Sequence, residues 1–447
     1  MKEKELREAA AERFGITALN EIQEAMLRHG AEKRDIILLS PTGSGKTIAF
    51  TLPLLKLMRP STGRVQAVIV APSRELVTQI AGVIRQLARG FRVVALYGGH
   101  SVEDEVNSLQ VVPDIVVATP GRLLDHARRD NIDLTPVRLL VLDEFDKILE
   151  AGFEEEMGKI VRRLKNVSRT ILTSATKADT LPDFLRLDNP VIVDYLGGNE
   201  ELRGRMRLRS VRSDGRDKLV SLLSLLRAVG IRERVIVFVN HRESAERVYD
   251  FLRGEGVSAV LYHGALDQRQ RESALALFNS GARPILVATD LAGRGLDIAD
   301  VGTVIHYHQP LTAEMYAHRN GRTARVARSG DIYLLLGPDE EMKDFVEADG
   351  ETTPEAVAAE RPEGDGSLRS GFEALYIGAG RREKLSRGDI LGFLTKEAGL
   401  QGSEVGKIEV FDHYAIVAVA SGVAKKALIS GREKKIKGEK RRVSLIS

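Results

Sequence analysis

Cysteine is absent from all 447 residues, which excludes disulfides, cysteine-ligated zinc or iron–sulfur centres and a thiol nucleophile. Long hydrophobic runs are missing as well. No apolar segment approaches the ~18 uninterrupted residues of a membrane span. The first residues, MKEKELREAAAERFG, are charged from position 2 and lack the apolar stretch of a secretory leader. Together these absences lead to the expectation of a soluble protein in a reducing, cytoplasmic setting, with no membrane partner. A large excess of either charge is also lacking, since the formal net charge is +3. The distribution is nonetheless uneven. From Ser367 onward 16 Lys+Arg oppose 9 Asp+Glu, leaving 50 against 54 before it. This pattern indicates a basic module after an otherwise balanced chain, and a polyanion as its natural partner.

What is present is enough chain for about three domains, with a 43% hydrophobic share to build their cores. Short apolar runs alternate with longer amphipathic stretches: DIILLS, QAVIVA, DIVVAT, LLVLD and TILTS, then RVIVFVN, SAVLYHG, PILVATD, TVIHYH and DIYLLLG. Continuous apolar strands separated by helical intervals predict parallel sheets covered by helices on both faces. Two such sets imply two α/β domains, 1–200 and 201–348. From Asp339 to Gly366 there are 11 acids and two basic residues, and 349–369 reads as an acidic linker. After it, the order βαββαβ over 370–447 predicts a small ferredoxin-like, RRM-like α+β module, a topology that settles no function.

One stretch, LLSPTGSGKT, runs an apolar strand into a glycine-bearing loop and then a helix. Backbone N–H groups of Thr42, Gly43, Ser44 and Gly45 would converge on phosphate oxygens, helped by the field of the helix N-terminus. Lys46 would reach the β and γ phosphates and the Thr47 hydroxyl would ligate Mg²⁺. Ser40 stands where the common P-loop pattern has its first glycine. A second stretch, RLLVLDEFDKILEAGF, drives the apolar Leu139–Leu142 into Asp143, Glu144 and Asp146. A parallel strand delivers such residues to the crevice beside a P-loop. There Asp143 would share the Mg²⁺ with Thr47, and Glu144 would polarise the attacking water. Acids at a strand end also serve as helix caps, and Asp146 is the one most open to that reading. In YAHRNGRTARVAR, Arg322 and Arg325 lie three apart and are suited to the role of arginine fingers, a solvated basic face being the alternative for the cluster taken alone.

In chain order SPTGSGKT, APSRELVTQI, YGGH, ATPGRLLD, VLDEFD, TSAT, VIVFVN, HGALDQRQR, TDLAGRGLDI and HRNGRTAR make the chain resemble the DEAD-box RNA helicases over roughly residues 16 to 330. The last ~80 residues resemble the RNA-binding domain of the bacterial DbpA group, with GKIEVF followed by YAIVAVA as the closest part. The resemblance implies two tandem RecA-like domains, ATP as the nucleotide read by Gln23, and a ribose contact at Asp297 with Gly295 beside it. It implies that Ser174 and Thr176 couple hydrolysis to strand separation. It further implies RNA contacts at Arg74, Gly98, Gly99, Thr119, Gly121, Arg122, His263, Gln268, Arg271 and Thr289. Backbone N–H and hydroxyl donors of this kind hold phosphates and 2′-hydroxyls without reading bases. The chain departs from the family pattern at Phe145, where alanine is usual, and at Ile16 and Leu19 in the adenine region.

The basic tail crowds Lys434, Lys435, Lys437, Lys440, Arg441 and Arg442 near its end. Its strands GKIEVF and YAIVAVA show no paired stacking aromatics, so RNA binding is expected on loops and the basic edge, with Arg381, Arg382 and Lys384 as further contacts. A protein-contact module with solubilising charge is the alternative. Taken together, the expected activity is RNA-stimulated ATP hydrolysis that unwinds or remodels structured RNA, ribosomal RNA in a ribosome precursor being the implied target. An ATP-gated RNA clamp or assembly scaffold would use the same motifs, and a duplex-separation assay distinguishes the two.

Overall fold

The computed structural model describes residues 1–41, 44–99, 101–177, 181–196, 204, 206–290, 298, 301–323, 329–346, 348–360 and 367–446. Two compact units divide the chain, Met1–Leu202 and, with the exception of Gly295–Asp297, everything after it. In the first unit the strands are β1 (Ile36–Leu39), β2 (Ala67–Val70), β3 (Val93–Leu96), β4 (Ile115–Ala118), β5 (Leu139–Leu142), β6 (Arg169–Ser174) and β7 (Val191–Asp194). They form one parallel sheet in the order β3-β4-β2-β5-β6-β1-β7. Every residue of β2, β4 and β5 is buried. Successive side chains alternate between faces. Ile69, Val117 and Val141 therefore pack into one helix layer, and Val68, Val116 and Leu140 into the other. Each such burial is worth ~1.5–3 kcal/mol. That two-sided demand for apolar residues is why these strands read as uninterrupted runs.

The second unit repeats the plan with β8 (Met206–Arg212), β9 (Val235–Phe238), β10 (Ala259–Tyr262), β11 (Ile285–Ala288), β12 (Thr303–His306), β13 (Gly330–Leu336) and β14 (Gly350–Thr352). Their order is β10-β11-β9-β12-β13-β8-β14. Residues 350–360 depart from the acidic linker expected over 349–369. β14 pairs in parallel with β8, and the helix Pro354–Glu360 buries Val357 in this domain's core. One apolar side chain at the right turn of a helix outweighs an acidic composition. β3, β7 and β8 were not among the runs read as strands. β3 and β7 are short sheet edges whose sequences, VVAL and VIVD, are apolar as well; β8 interleaves Arg207 and Arg209 with the buried Leu208 and Ser210, so it alone of the three lacks a continuous apolar signal.

Four further strands, β15 (Phe372–Ile377), β16 (Val405–Val410), β17 (Ala415–Ala420) and β18 (Val443–Ile446), form an antiparallel sheet ordered β16-β17-β15-β18. With the helices Arg387–Gly392 and Ser421–Glu433 this is the βαββαβ module expected. Leu375, Ile377, Val417 and Val419 pack under the helices. The opposite face holds Tyr376 and the buried Ala374, Ile416 and Ala418. That face meets the helix Gln268–Asn279 of the preceding α/β domain. Arg269 donates to Tyr376 Oη at 2.9 Å, Tyr414 Oη donates to Glu272 at 3.1 Å, and Arg283 donates to the Ile446 carbonyl at 3.2 Å. The Arg269 guanidinium lies 5.6 and 5.2 Å from the ring centres of Tyr376 and Tyr414. Tyr414 stacks at 5.7 Å on Tyr376 and at 4.5 Å on Phe411. As expected, β16 and β17 themselves present no pair of stacked aromatics, since Phe411 and Tyr414 lie in the turn between them. The stack draws its members from β15 and from the turn before β17, and it grips an arginine of its own chain.

Candidate functional site

In the first unit, parallel strands present their C-terminal ends on one edge of the sheet, where loops converge. After β1, Gly45 adopts φ +86° and Lys46 opens the helix Lys46–Leu57. Lys46 is buried, and its Nζ donates to the carbonyls of Ser40 and Pro41 at 2.7 and 3.3 Å. Ser40, at the position of the missing glycine, is itself buried; its hydroxyl donates to Ser44 Oγ at 2.6 Å. Thr47 is half-buried on the first turn, whereas Thr42 and Gly43 lie outside the described residues. The helix Glu21–His29 is capped by Asn20, whose Oδ1 accepts from Gln23 N at 2.9 Å and whose Nδ2 donates to the Ser44 carbonyl at 3.0 Å. Gln23 Nε2 comes so near Gly45 that a Cβ there would sit 2.8 Å from it. The sequence-predicted adenine reader thus lies against the phosphate loop.

Two strands away, Asp143 at the end of β5 is almost wholly buried. Burial pushes its carboxyl above the ordinary carboxylate range, opposed by the Thr173 hydrogen bond and the charge of Lys46. Thr173 of β6 donates to Asp143 Oδ1 at 2.5 Å and accepts from Glu144 N at 3.1 Å. Glu144 is held at φ +49°, a left-handed conformation uncommon for a non-glycine residue. Beyond it, Thr176 Oγ1 donates to Asp146 Oδ2 at 3.2 Å, and Ser174 Oγ bonds both the carbonyl and the N–H of Thr176, at 2.6 and 3.1 Å. Thr176 thus ties the SAT stretch to the acidic stretch. Phe145 is buried against Phe184 at 6.4 Å, so it occupies the core and not the site.

A second cluster sits at the ends of β2, β3 and β4. Arg74 follows β2, and its guanidinium covers the Gly98–Gly99 turn after β3. A Cβ on Gly99, where φ is +101°, would fall 2.1 Å from Arg74 Nη1. Thr119 follows β4, and Pro120 opens the helix that carries Gly121 and Arg122. The two sequence-predicted sets, nucleotide and RNA, therefore take adjacent halves of one sheet edge.

In the second unit, Thr289 follows β11, with its N–H on the Tyr262 carbonyl at 3.3 Å. Gln268 and Arg271 share the first turn of Gln268–Asn279, with Gln268 donating to Glu272 at 3.2 Å and Arg271 to the Leu266 carbonyl at 3.1 Å. His263 is almost buried, its Nδ1 accepting from Ala265 N at 3.2 Å. Arg322 is buried as well. Gly295, Asp297 and Arg325 lie outside the described residues. Reading residues alone missed Arg319. Fully buried, it donates to both oxygens of Asp290 at 2.6 and 2.8 Å, to Asn240 Oδ1 at 2.7 Å and to the His308 carbonyl at 2.9 Å. It binds together the ends of β9, β11 and β12, and so fixes Thr289 beside Asp290. Thr173 was missed too, although a threonine buried near the end of an apolar strand is a usable signal.

In the C-terminal module the exposed Arg381, Arg382 and Lys384 belong to the loop after β15, and Lys434 and Lys435 follow its last helix. Lys437 donates to the Lys384 carbonyl and pairs with Asp389 at 2.8 Å. Two basic stretches about fifty residues apart in sequence become one surface.

Residues 20–184 match the DEAD/DEAH box helicase family, 217–327 the helicase conserved C-terminal domain and 374–445 the DbpA RNA binding domain. The ATP-dependent RNA helicase DbpA of Escherichia coli K12 is 33% identical over 444 residues, 97% of this chain and 95% of that protein. Among solved structures, S. cerevisiae Dbp5 bound to RNA and ADP BeF3 aligns with a TM-score of 0.71 at 24% identity, covering 82% of this chain and 97% of the other. Mss116p bound to ssRNA and AMP-PNP aligns at 0.67 with 28% identity, covering 80% and 79%. No helix among the described residues is long and apolar enough to cross a membrane. With a P-loop and an acidic strand end in the first α/β unit, a helicase C-terminal domain in the second and a DbpA-type module after it, the chain belongs to the DEAD-box ATP-dependent RNA helicases.

Proposed function

We propose that this protein hydrolyses ATP in response to RNA and uses that cycle to unwind or remodel structured RNA. The observation that carries the reading is that the ends of β5 and β6 are tied together beside Lys46 by two hydrogen-bonded groups, Thr173 with Asp143 and the Glu144 N–H, and Asp146 with Thr176 and Ser174. Lys46 binds the β and γ phosphates, backbone groups of residues 42–45 cradle them, and Gln23 selects adenine. Glu144 orients the attacking water and takes its proton, for which its fixed backbone conformation pre-organises it. Arg322 and Arg325 stabilise charge on the transferring phosphoryl group, and Asp297 and Gly295 hold the ribose.

The residues present fit a divalent cation. Asp143 is an acid that burial makes costly to ionise alone, and Asp146 Oδ1 is buried with no partner among the described residues. Asp143 and Thr47 would hold Mg²⁺, with phosphates and water as its remaining ligands. Such an ion, when bound, neutralises charge developing between the β and γ phosphates.

On the RNA side, Arg74, Gly98, Gly99, Thr119, Gly121 and Arg122 of the first unit contact RNA backbone, and so do His263, Gln268, Arg271 and Thr289 of the second. The surface formed by Arg381, Arg382, Lys384, Lys434 and Lys435 directs the enzyme to structured RNA. Ribosomal RNA of an assembling ribosome is the target that the resemblance of the C-terminal module to the DbpA RNA binding domain implies. The test is ATP turnover by the purified protein with and without ribosomal RNA, paired with ATP-dependent release of a short annealed strand. Turnover indifferent to every RNA sinks the reading. RNA-stimulated turnover without strand release assigns the protein to the RNA clamps.

A further inference from the structure

Glu105 sits on the helix Val102–Leu109 in the stripe with Val102 and Leu109, at a position where an amphipathic helix ordinarily buries an apolar side chain. It is 3% exposed. Its Oε1 accepts from Tyr97 N at 2.8 Å, at the base of the Gly98–Gly99 turn. Its Oε2 lies 2.7 Å from His126 Nε2 and 3.3 Å from Arg122 Nη1. His126 is wholly buried, and its Nδ1 is 3.1 Å from Asn131 Nδ2. With the amide donating to Nδ1, the ring proton lies on Nε2 and is given to Glu105. A buried carboxylate is retained only where charged or polar donors surround it, and this one has donors from both segments assigned to RNA.

We propose that Glu105 is a positioning residue for RNA binding. It locks the Gly98–Gly99 turn, through Tyr97, to Arg122 and the helix after β4, so that the donors of both segments face the RNA backbone in fixed register. His126 and Asn131 orient the carboxylate. This rests on the assignment of Gly98, Gly99 and Arg122 to RNA. It adds residues that do not touch the ligand and that lie in none of the stretches resembling the family, apart from the flanking position of His126. Since Glu105 sits on the RNA half of the sheet edge and away from Lys46 and Asp143, its loss is read in RNA binding and not in nucleotide binding.

The experiment measures ATP turnover by the full chain as poly(U) RNA is titrated, with affinity for a fluorescent ADP analogue in the absence of RNA as the control. Glu105→Ala is expected to raise the RNA concentration for half-maximal stimulation about tenfold or more, while turnover at saturating RNA and affinity for the analogue stay within about twofold of the parent. His126→Gln, which keeps an N–H donor toward Glu105, is expected to stay near the parent, and His126→Leu, which has none, to follow Glu105→Ala. Should Glu105→Ala lose analogue binding through misfolding, the two His126 variants decide the matter. An unchanged half-saturation, a drop in turnover at every RNA concentration without a change in half-saturation, or identical behaviour of the two His126 variants overturns the proposal. A parent enzyme that RNA does not stimulate overturns the underlying assignment instead.

Discussion

Thr173 Oγ1 donates to Asp143 Oδ1 at 2.5 Å and accepts from Glu144 N at 3.1 Å, so one hydroxyl holds the Asp143 carboxylate and the Glu144 backbone at the end of β5. Thr173→Val preserves shape and removes both bonds, leaving a buried carboxylate and a buried N–H without this partner. The expected cost is about 1–3 kcal/mol of stability per orphaned group, seen in urea unfolding. ATP turnover is expected to fall by at least about tenfold. Thr173→Ser should retain most of both quantities, and a Val variant as active as the parent would remove Thr173 from the site.

Glu144→Gln tests the water-orienting role. The amide keeps the volume and the backbone geometry at φ +49° but cannot accept the proton. Turnover is expected to fall about 10²–10⁴-fold, the range attributed to general base catalysis, with affinities for ATP and RNA retained. Undiminished hydrolysis would transfer the role to another group.

Seating of the C-terminal module depends on Tyr414, which stacks beneath Arg269 and bonds Glu272. Burial and the neighbouring Glu272 also drive its phenol well above its ordinary range, so it remains a hydrogen-bond donor at all working pH values. Tyr414→Ala removes the cation–π contact and the hydrogen bond, each worth about 0.5–1.5 kcal/mol. Faster hydrogen exchange on β17 is the expected outcome. Tyr414→Phe should show an intermediate effect.

His306 predicts acid sensitivity of the second unit. It is completely buried, and burial together with the Arg319 charge depresses its pKa from 6.5 to about 3. A depressed histidine stabilises the fold only while neutral. Its contribution is complete above about pH 6.5 and is lost as pH falls from there toward 3. One pH unit below 6.5 the loss is about 1.4 kcal/mol. His306→Gln, which keeps a donor toward Asn320 Oδ1, should reduce the pH slope of unfolding over this window by about one proton. An unaltered slope would show that His306 does not titrate on unfolding.

Much of this was legible in the residues because parallel strands buried on both faces must be continuously apolar. The ten apolar runs all became strands, and the segments that follow them carry Lys46, Asp143 and Thr119. The edge strands β3 (VVAL) and β7 (VIVD) are apolar too, and four residues of that kind do not by themselves declare whether they pair in a sheet. Thr173, Glu105 and Arg319 escaped because their importance comes from partners remote in sequence. An isolated threonine, glutamate or arginine carries no sign of the carboxylate or backbone amide it will meet.

Local order along the chain thus determined the two α/β domains, the phosphate loop, the acids facing it and the basic character of the tail, because strand burial and loop chemistry depend on near neighbours. Tertiary structure alone decided that Thr173 holds Asp143, that Glu105 links two loops and that an aromatic face closes over Arg269. Those contacts join residues about thirty, eight to twenty-one, and over a hundred positions apart. Distance and direction between such groups are set by sheet order and packing, which no stretch of sequence encodes by itself.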